Sequence, residues 1–451
     1  MLRRTLLVTA LGALAATAAR ADDPRSTPTP APTGALTGHW IVNTDIYGTA
    51  VYWRMELTQQ GETLTGEFSG DKLEGTVRGT TVEFFAKDAE GGNEQAKATI
   101  AGDTMTGTVI VVDADDPKHP HSHAFTATFV PKRATRPARR HEFTPTVFYR
   151  QFSALTKPVL TIAPGDTIAT STVDAGGVDA KGVTRALGGN PQTGPFYIEG
   201  AMPGDTLVVR LTRLRLNRDY AVSDDGLVPR ATDGELAVKM KDTGKRVTWH
   251  LDQAKGVATT EKPGDHLGRY TVPLRPMLGC IATAPRPAQG APATGDSGGF
   301  GGNMDFNEAV EGATVYLPVR NPGALLYFGD GHAAQGDGEL NGDALETSLD
   351  VQITVDVLPG KAMPTPRVES ATHLMAMGLG GSLDEAFRIA TGNMATWLAE
   401  DYKLTPSEVA QVLGTAAEYR VSEVADRNAG IVLKLSKERL KSITPAAPAA
   451  K

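Results

Sequence analysis

The segment GDGHAAQGDGE, residues 329–339, gathers side chains that can bind a cation or move a proton. It carries Asp330, His332, Asp337 and Glu339 among four glycines and follows the apolar run ALLYF. Residues two apart on an extended strand leave the same face, so Asp330 and His332 are expected to point the same way. The residue types leave three interpretations open: a catalytic metal or acid/base site, a structural Ca²⁺ loop and an ordinary polar turn.

Three more segments carry candidate site residues. Asn303 lies on the glycine-dense segment GDSGGFGGNMDFNEA, which taken alone is more typical of a mobile loop. Glu199 lies in the apolar run FYIEGAM, where a carboxylate is expected to be buried and either paired, bound to an ion or satisfied by backbone donors. Asp174, in TSTVDAGG, is a further acidic candidate.

The elements that position these residues are predicted to be mainly β-strands. The 451 residues include 49 glycines and 29 prolines, which favours many turns. Residues 36–131 alternate apolar and polar positions between short turns, which predicts a small antiparallel β-barrel or meander as an accessory domain. The run PKRATRPARR, residues 131–140, is interpreted as a solvated basic linker, which is expected at residues 132–141.

Residues 142–445 form the larger predicted unit. Strand-like runs separated by long Gly- and Pro-rich loops indicate a jelly-roll-like β-sandwich with its chemistry in the loops. From about residue 370 the spacing becomes helical. Ser382 and Thr405, each followed three residues later by Glu, are the predicted N-caps.

The N-terminus predicts export. Residues 1–21 contain Arg3 and Arg4, a short apolar run and a small-residue cleavage pattern ending at Ala21, so we expect a signal peptide followed by a linker at 22–35. The mature protein is then periplasmic or secreted. No later run is long and apolar enough to predict a membrane span.

The net charge and the single cysteine argue against a nucleic-acid-binding protein and against an enzyme with a cysteine nucleophile. The formal charge of -7 argues against nucleic acid as a partner, so a small polar substrate fits better. Cys280 is the one cysteine of the sequence and lies in an apolar run, which predicts a buried small side chain rather than a nucleophile. Exposed sheet edges favour a homo-oligomer.

Four sequence blocks carry a resemblance to a known family. TGPFYIEGAMPGDTLVVR, RPMLGCIATAP, GGNMDFNEAVEGATVYLPV and GDGHAAQGDGE occur in this order and resemble the signature blocks of the acetamidase/formamidase family. The resemblance spans about residues 142–440 and leaves the N-terminal β-unit outside. It implies a β-rich hydrolase that cleaves the C–N bond of short aliphatic amides to a carboxylate and ammonia, and that depends on a metal.

Site roles follow from this chemistry. Amide resonance makes the carbonyl a poor electrophile, so the enzyme must polarise the oxygen, activate water and protonate the leaving nitrogen. We expect a divalent metal, Zn²⁺ in preference to Ca²⁺, because the set mixes imidazole and carboxylates. The expected metal ligands are Asp174, Asp330 and His332. The expected catalytic residues are Glu199, Asp337, Glu339 and Asn303.

Two positions depart from the family pattern. Phe300 precedes GGNMD where relatives often carry His, and Asn190 stands where many carry a pair ending in His. The alternative function is a non-catalytic exported β-protein that binds Ca²⁺ or carbohydrate. A third hypothesis is a hydrolase of the same fold acting on an unusual C–N bond.

Overall fold

The computed structural model describes residues 36–87, 91–131 and 136–443. The predicted signal peptide at 1–21 and the linker at 22–35 lie outside the described residues. Within them the chain is mainly β, as the sequence predicts, and it forms a closed barrel followed by a two-sheet unit with helices near its end.

The first unit is an eight-stranded barrel in which each strand pairs with the next and the last pairs with the first. Its strands are β1 (Gly38–Ile46), β2 (Thr49–Gln60), β3 (Thr63–Phe68), β4 (Asp71–Arg78), β5 (Thr81–Lys87), β6 (Asn93–Ala101), β7 (Thr104–Val112) and β8 (His121–Val130). Alternate side chains such as Trp40, Met55 and Leu73 point inward and fill the interior. The expected antiparallel barrel or meander is therefore a closed barrel.

The second unit contains the remaining twenty strands of the described residues. They are β9 (Arg140–Glu142), β10 (Leu160–Ile162), β11 (Thr167–Ser171), β12 (Thr193–Ile198), β13 (Thr206–Leu216), β14 (Tyr220–Asp224), β15 (Arg246–Asp252), β16 (Val257–Thr260), β17 (Val272–Pro273), β18 (Met277–Ala282), β19 (Ser297–Gly298), β20 (Gly301–Asn303), β21 (Thr314–Pro318), β22 (Leu326–His332), β23 (Glu346–Thr347), β24 (Leu349–Leu358), β25 (Arg367–Glu369), β26 (His373–Gly380), β27 (Glu418–Val421) and β28 (Ala429–Ser436).

These strands form two sheets that share one apolar core. The first sheet has the order β17-β16-β15-β14-β23-β22-β18-β20-β19, with β12 also on β22 and β10 on β12. The second has the order β27-β28-β26-β25-β21-β13-β24-β11-β9. Ile281 and Phe328 of the first sheet and Leu207 and Ile353 of the second are fully buried in the same cluster. The unit is thus a β-sandwich.

The described residues contain one short helix in the middle of the chain and three helices in the C-terminal region, where the first begins at Leu383. They are α1 (Gly234–Lys239), α2 (Leu383–Tyr402), α3 (Pro406–Ala416) and α4 (Lys437–Leu440). Ser382 and Thr405 cap α2 and α3 as predicted. The region after residue 370 also holds the strands β26, β27 and β28, because their apolar side chains complete the second sheet under α2.

The basic run differs from the solvated linker that we predicted, over its described part. Arg136 donates through both terminal nitrogens to Asp166, at 2.8 and 2.5 Å, and His141 Nε2 lies 2.9 Å from the same carboxylate. Asp166 is fully buried. Residues 136–142 are therefore fixed along the edge of the second sheet, where β9 pairs with β11.

The barrel and the sandwich meet along β2. Arg54 on β2 donates to the buried Asp205 of the sandwich at 2.6 Å, and the 3₁₀ turn Pro287–Gln289 lies against the same strand. The other 3₁₀ turn spans Pro229–Ala231. Among the described residues, none of the helices has the length and apolar character that crossing a membrane requires.

Candidate functional site

Four carboxylates and one imidazole converge beneath the first sheet of the sandwich. We call His332, Asp305, Asp330, Glu339 and Glu346 the acid cluster; all five are at least 95% buried. Ligand atoms of Asp305, His332 and Glu339 lie within 4.8 Å of one another, and so do those of Asp330, His332 and Glu346. His332 belongs to both groups and is the centre of the cluster.

Strand pairing brings these residues together. Asp330 and His332 leave the same face of β22, as their spacing predicts, and Glu346 of β23 pairs directly opposite His332. His332 Nε2 lies 3.0 Å from Glu346 Oε1, 3.4 Å from Asp330 Oδ1 and 3.9 Å from Asp305 Oδ1. One nitrogen therefore faces three carboxylates.

Gly279 on β18 forms the floor of the cluster. A Cβ atom at this position would lie 2.4 Å from Asp305 Oδ1, 2.6 Å from Asp330 Oδ2 and 2.9 Å from His332 Cε1. The amide of Asp305 donates to the Gly279 carbonyl at 3.1 Å, which holds the Asp305 segment over this glycine. Only a residue without a side chain leaves the space between these donor atoms open.

The backbone at the site adopts conformations that side chains disfavour. Asp305, Asp330 and Glu339 have φ of +39°, +59° and +48°, and the neighbouring Asn190 has +52°. Left-handed φ angles cost energy in residues other than glycine and persist where the surrounding structure imposes them. These backbone conformations lower the stability of the folded state, and they direct the three carboxylates towards one another.

Gln335 fixes the proton of His332 on one nitrogen. Its Nε2 donates to the carbonyls of Asp305 and Ser422, at 2.6 and 3.2 Å, which leaves Oε1 facing His332 Nδ1 at 2.9 Å. Because Oε1 can only accept, Nδ1 carries the hydrogen, and a neutral His332 presents a bare Nε2 lone pair to the carboxylates. That arrangement is repulsive unless a proton or a cation lies between them.

Four side-chain atoms of the acid cluster that could bind a metal lack a hydrogen-bond partner among the described residues. They are Asp305 Oδ1, Asp330 Oδ1, Glu346 Oε2 and His332 Nε2. Buried charged groups are normally paired or coordinate a metal. The unpartnered atoms, the open space above Gly279 and the oriented imidazole fit a divalent metal ion.

Burial and mutual repulsion raise the pKa of the cluster acids. Burial raises the pKa of Asp305 and Glu339 well above their usual values, and neighbouring carboxylates raise them further. Burial raises the pKa of Glu346 to about 8, against the attraction of His332. Burial also lowers the pKa of His332, but Glu346 and Asp330 outweigh this effect and raise it well above 6.5. Without a cation, the cluster retains protons at neutral pH.

Metal removal should therefore make the stability of the protein fall as pH rises. The folded state holds the Glu346 proton up to a pKa of about 8, whereas an unfolded glutamate releases it near 4.5, so the stabilisation is complete below 4.5 and is lost towards about 8. Thermal melts of chelated protein across this range measure the effect. Added metal should reverse it, and Glu346→Gln should flatten the profile. A melting temperature that rises with pH in chelated protein would contradict this assignment.

Asn303 links the acid cluster to a second pair of acids. Its Nδ2 donates to Asp305 Oδ2 at 2.5 Å and to Asp426 Oδ2 at 2.6 Å, while its Oδ1 accepts from Asn190 Nδ2 at 2.9 Å. Both amide hydrogens are thus used, so Asn303 holds carboxylates in place. The amide of Asp426 donates to Glu423 Oε2 at 3.3 Å.

Glu423 and Asp426 form an acid pair beside the cluster. Burial, reinforced by Asp426, raises the pKa of Glu423 to about 8. Burial raises the pKa of Asp426 to about 6, although the hydrogen bond from Asn303 opposes the shift. Oε1 of Glu423 is buried and has no partner among the described residues. The two carboxyl groups therefore differ in charge near neutral pH.

Four of the predicted site residues lie outside the acid cluster; Asn303 donates to it, and the other three are bound elsewhere or exposed. Asp337 pairs with Arg420, whose Nη2 donates to it at 2.6 Å. Asp174 accepts from Arg218 Nη2 at 2.7 Å in a buried ion pair. Glu199 is exposed beyond the end of β12, which corrects the expectation that it is buried. Asp330, His332, Glu339 and Asn303 are the predicted residues that the structure brings together.

Asp174 nevertheless lies close behind the site. Arg218, its partner, also donates to the Glu346 carbonyl at 3.1 Å and to Thr347 Oγ1 at 3.0 Å. Because the guanidinium already neutralises Asp174, this carboxylate supports the backbone that carries Glu346 and does not itself face the cluster. The role that the structure gives it differs from the metal ligand predicted from sequence.

The site also contains residues that the sequence reasoning did not select. Glu346 reaches the cluster through the pairing of β23 with β22, and Glu423 lies beside Gly338 through an isolated parallel bridge. Asp305 lies two residues after Asn303 on the same glycine-dense segment and was not selected. Of the two departures from the family pattern, Asn190 contacts Asn303, whereas Phe300 packs against Phe152 with ring centroids 5.4 Å apart. Cys280 is buried, as predicted.

Comparison with known proteins supports the relationship. The model of the Acetamidase/Formamidase family matches residues 286–379. A formamidase of Methylophilus methylotrophus is 26% identical over 192 residues, which are 33% of this chain and 46% of that protein. The chain thus matches about half the length of this curated relative. An acetamidase of Mycolicibacterium smegmatis is 39% identical over 61 residues, covering 13% of this chain and 15% of that protein.

Solved structures resemble the sandwich over nearly their whole length. A predicted acetamidase/formamidase of Thermoanaerobacter tengcongensis has a TM-score of 0.58 and 27% identity, covering 68% of this chain and 99% of its own. An acetamidase of Yersinia enterocolitica has a TM-score of 0.59 and 28% identity, covering 68% and 94%. The sequence motifs, the family model and the shared fold agree, and each shows that the sandwich unit of this chain is similar to the acetamidase/formamidase family.

Proposed function

We propose that this protein hydrolyses the C–N bond of short aliphatic amides, of the formamide or acetamide type, and that it does so with a divalent metal ion held in the acid cluster. The observation that carries the proposal is the bare Nε2 of His332, oriented by Gln335 and facing three buried carboxylates. The names of the relatives support the reaction and the substrate class.

Zn²⁺ is the metal that the donor set favours. Ca²⁺ is bound by oxygen atoms, whereas Zn²⁺ also accepts an imidazole nitrogen, which His332 supplies. We propose His332, Asp305, Asp330, Glu339 and Glu346 as the residues that hold it. A divalent ion bound there supplies Lewis-acid polarisation of the amide carbonyl and lowers the pKa of a water molecule.

The acid pair is suited to move the protons that hydrolysis requires. We assign Asp426, with a pKa of about 6, as the base that takes a proton from the attacking water. Glu423, with a pKa of about 8, is protonated near neutrality and is assigned as the acid that supplies a proton to the leaving nitrogen. Asn303 donates to both Asp426 and Asp305 and so fixes their positions relative to each other; it acts as a positioning residue.

Ammonia release from a series of amides tests the proposed function. Protein with its metal content determined by elemental analysis is assayed with formamide, acetamide and longer aliphatic amides, before and after chelation. We expect turnover of the shortest amides, its loss after chelation and its recovery with Zn²⁺ rather than Ca²⁺. Absence of turnover across the series by fully loaded protein contradicts the proposal and leaves a binding function.

We further propose that the protein acts outside the cytoplasm, on the basis of the N-terminal sequence. Sequencing the N-terminus of protein recovered from the periplasm or the medium tests this. We expect the mature chain to begin after Ala21.

A further inference from the structure

A cleft of about 600 Å³ lies between the barrel and the sandwich. One wall is the outer surface and rim of the barrel around β2, and the other consists of loops that follow β18 and β21. None of the residues of the acid cluster lines it. Clefts of this size at domain interfaces are typical binding sites for small molecules.

The sandwich wall presents two guanidinium groups without a carboxylate partner among the described residues. Arg286 precedes the 3₁₀ turn that contacts β2, and Arg320 follows β21. Nη2 of Arg320 donates to the carbonyls of Met363 and Pro364, at 3.3 and 3.0 Å, which fixes the group and leaves its other donors available. Both arginines line the same cleft, and burial together with the charge of Arg286 lowers the pKa of Arg320.

The barrel wall presents aromatic surface. Tyr52 and Trp53 both border the cleft, but successive residues of a strand face opposite sides, so Tyr52 lies on the outer face of the barrel whereas Trp53 packs against the barrel interior. Arg54, the third arginine of the cleft, is neutralised by the buried Asp205 and joins the two walls. Glu56 and Glu67 lie on the barrel wall. The two walls therefore carry opposite charges, and the unpaired positive charge lies on the sandwich wall.

We propose that this cleft binds a small aromatic carboxylate, with its carboxylate between Arg286 and Arg320 and its ring against Tyr52. A carboxylate supplies the negative charge that two adjacent guanidinium groups lack, and arginine binds it through paired hydrogen bonds. The ring of Tyr52 supplies the apolar contact that acetate or inorganic ions cannot use. The site is separate from amide hydrolysis and does not depend on it.

Calorimetric titration of the full chain with phenylacetate tests the proposal, with 2-phenylethanol and acetate as neutral and non-aromatic comparisons. We expect saturable binding of phenylacetate, and at least about tenfold weaker binding of both comparison compounds. Arg286→Gln and Arg320→Gln should each weaken phenylacetate binding about tenfold or more. Arg78→Gln, which changes an exposed arginine of the barrel outside the cleft, is the matched control and should bind as the parent does.

Three outcomes overturn the proposal. They are the absence of binding up to about 10 mM phenylacetate, equal binding of 2-phenylethanol, and binding that survives both arginine substitutions. In the last case Asp305→Asn identifies the acid cluster as the location if it abolishes the signal. Ammonia release by Arg286→Gln should equal that of the parent, so failure here is distinguishable from failure of the proposed hydrolase function.

Discussion

His332→Ala is expected to lower both bound metal and ammonia release from the best short amide by at least about 100-fold. His332 is the nitrogen donor of the acid cluster and lies within 4 Å of three of its carboxylates. Without it, the carboxylates are left with mutual repulsion and one fewer ligand. Elemental analysis and an ammonia assay on the same preparation measure the two losses together.

Two further variants separate this effect from misfolding. Glu346→Gln keeps the shape of the side chain and removes the carboxyl group that must take up a proton when the chelated protein folds, so it should raise the melting temperature of chelated protein at neutral pH while weakening metal binding. Glu199→Gln changes an exposed carboxylate outside the cluster and should leave activity unchanged. Retention of metal and full rate by His332→Ala would remove the imidazole from the proposed mechanism.

The rate of amide hydrolysis should follow a bell-shaped pH profile set by Asp426 and Glu423. Asp426 accepts a proton only when ionised, so the rate rises as pH passes about 6. Glu423 donates only when protonated, so the rate falls as pH passes about 8. Asp426→Asn should remove the acidic limb, Glu423→Gln the basic limb, and each should lower the maximal rate about 100-fold or more.

The matched control for these variants is Asp337→Asn. Asp337 is a carboxylate of a neighbouring loop, but it pairs with Arg420 and is not a member of the cluster, so its loss should leave both limbs in place. The profiles are measured as the pH dependence of kcat/KM with metal content held constant. Persistence of the basic limb in Glu423→Gln, at the same pH, would assign that proton to another group.

The sequence predicted the part of the site that depends on local geometry. Asp330 and His332 share a face because strand residues alternate, and Glu339 follows on the same glycine-rich segment. Glu346, Asp305 and Asp426 reach the site through strand register and loop bonds between distant segments, which residue spacing does not encode. The positive φ angles of Asp330 and Glu339, which turn their side chains inward, could not be predicted from the sequence either.

The residues assigned differently have a common physical cause. Asp174 and Asp337 are carboxylates of the expected type, but each meets a guanidinium, Arg218 or Arg420, from a remote part of the chain. An arginine opposite a carboxylate neutralises it and removes it from metal binding. Sequence alone could not show which acids acquire such a partner and which remain with other acids.

For the fold, alternation of apolar and polar residues predicted the barrel, because one face of each strand must be buried, and strand-like runs between long Gly- and Pro-rich loops predicted the sandwich. The strands of the C-terminal region were not predicted. Both faces of β26 and β28 are buried, one against the sandwich core and the other against α2, so their sequences show no alternation of apolar and polar residues. The capping residues of α2 and α3 were predictable because their signal lies within four positions of the chain.

Closure of the barrel has a structural consequence for the relation between the two units. Since β1 pairs with β8, the barrel completes its backbone hydrogen bonding by itself and lends no strand to the sandwich. The two units are joined by side-chain contacts such as Arg54 with Asp205, and each retains its own apolar interior. A module built in this way can be gained or exchanged during evolution without altering the geometry of the reaction centre.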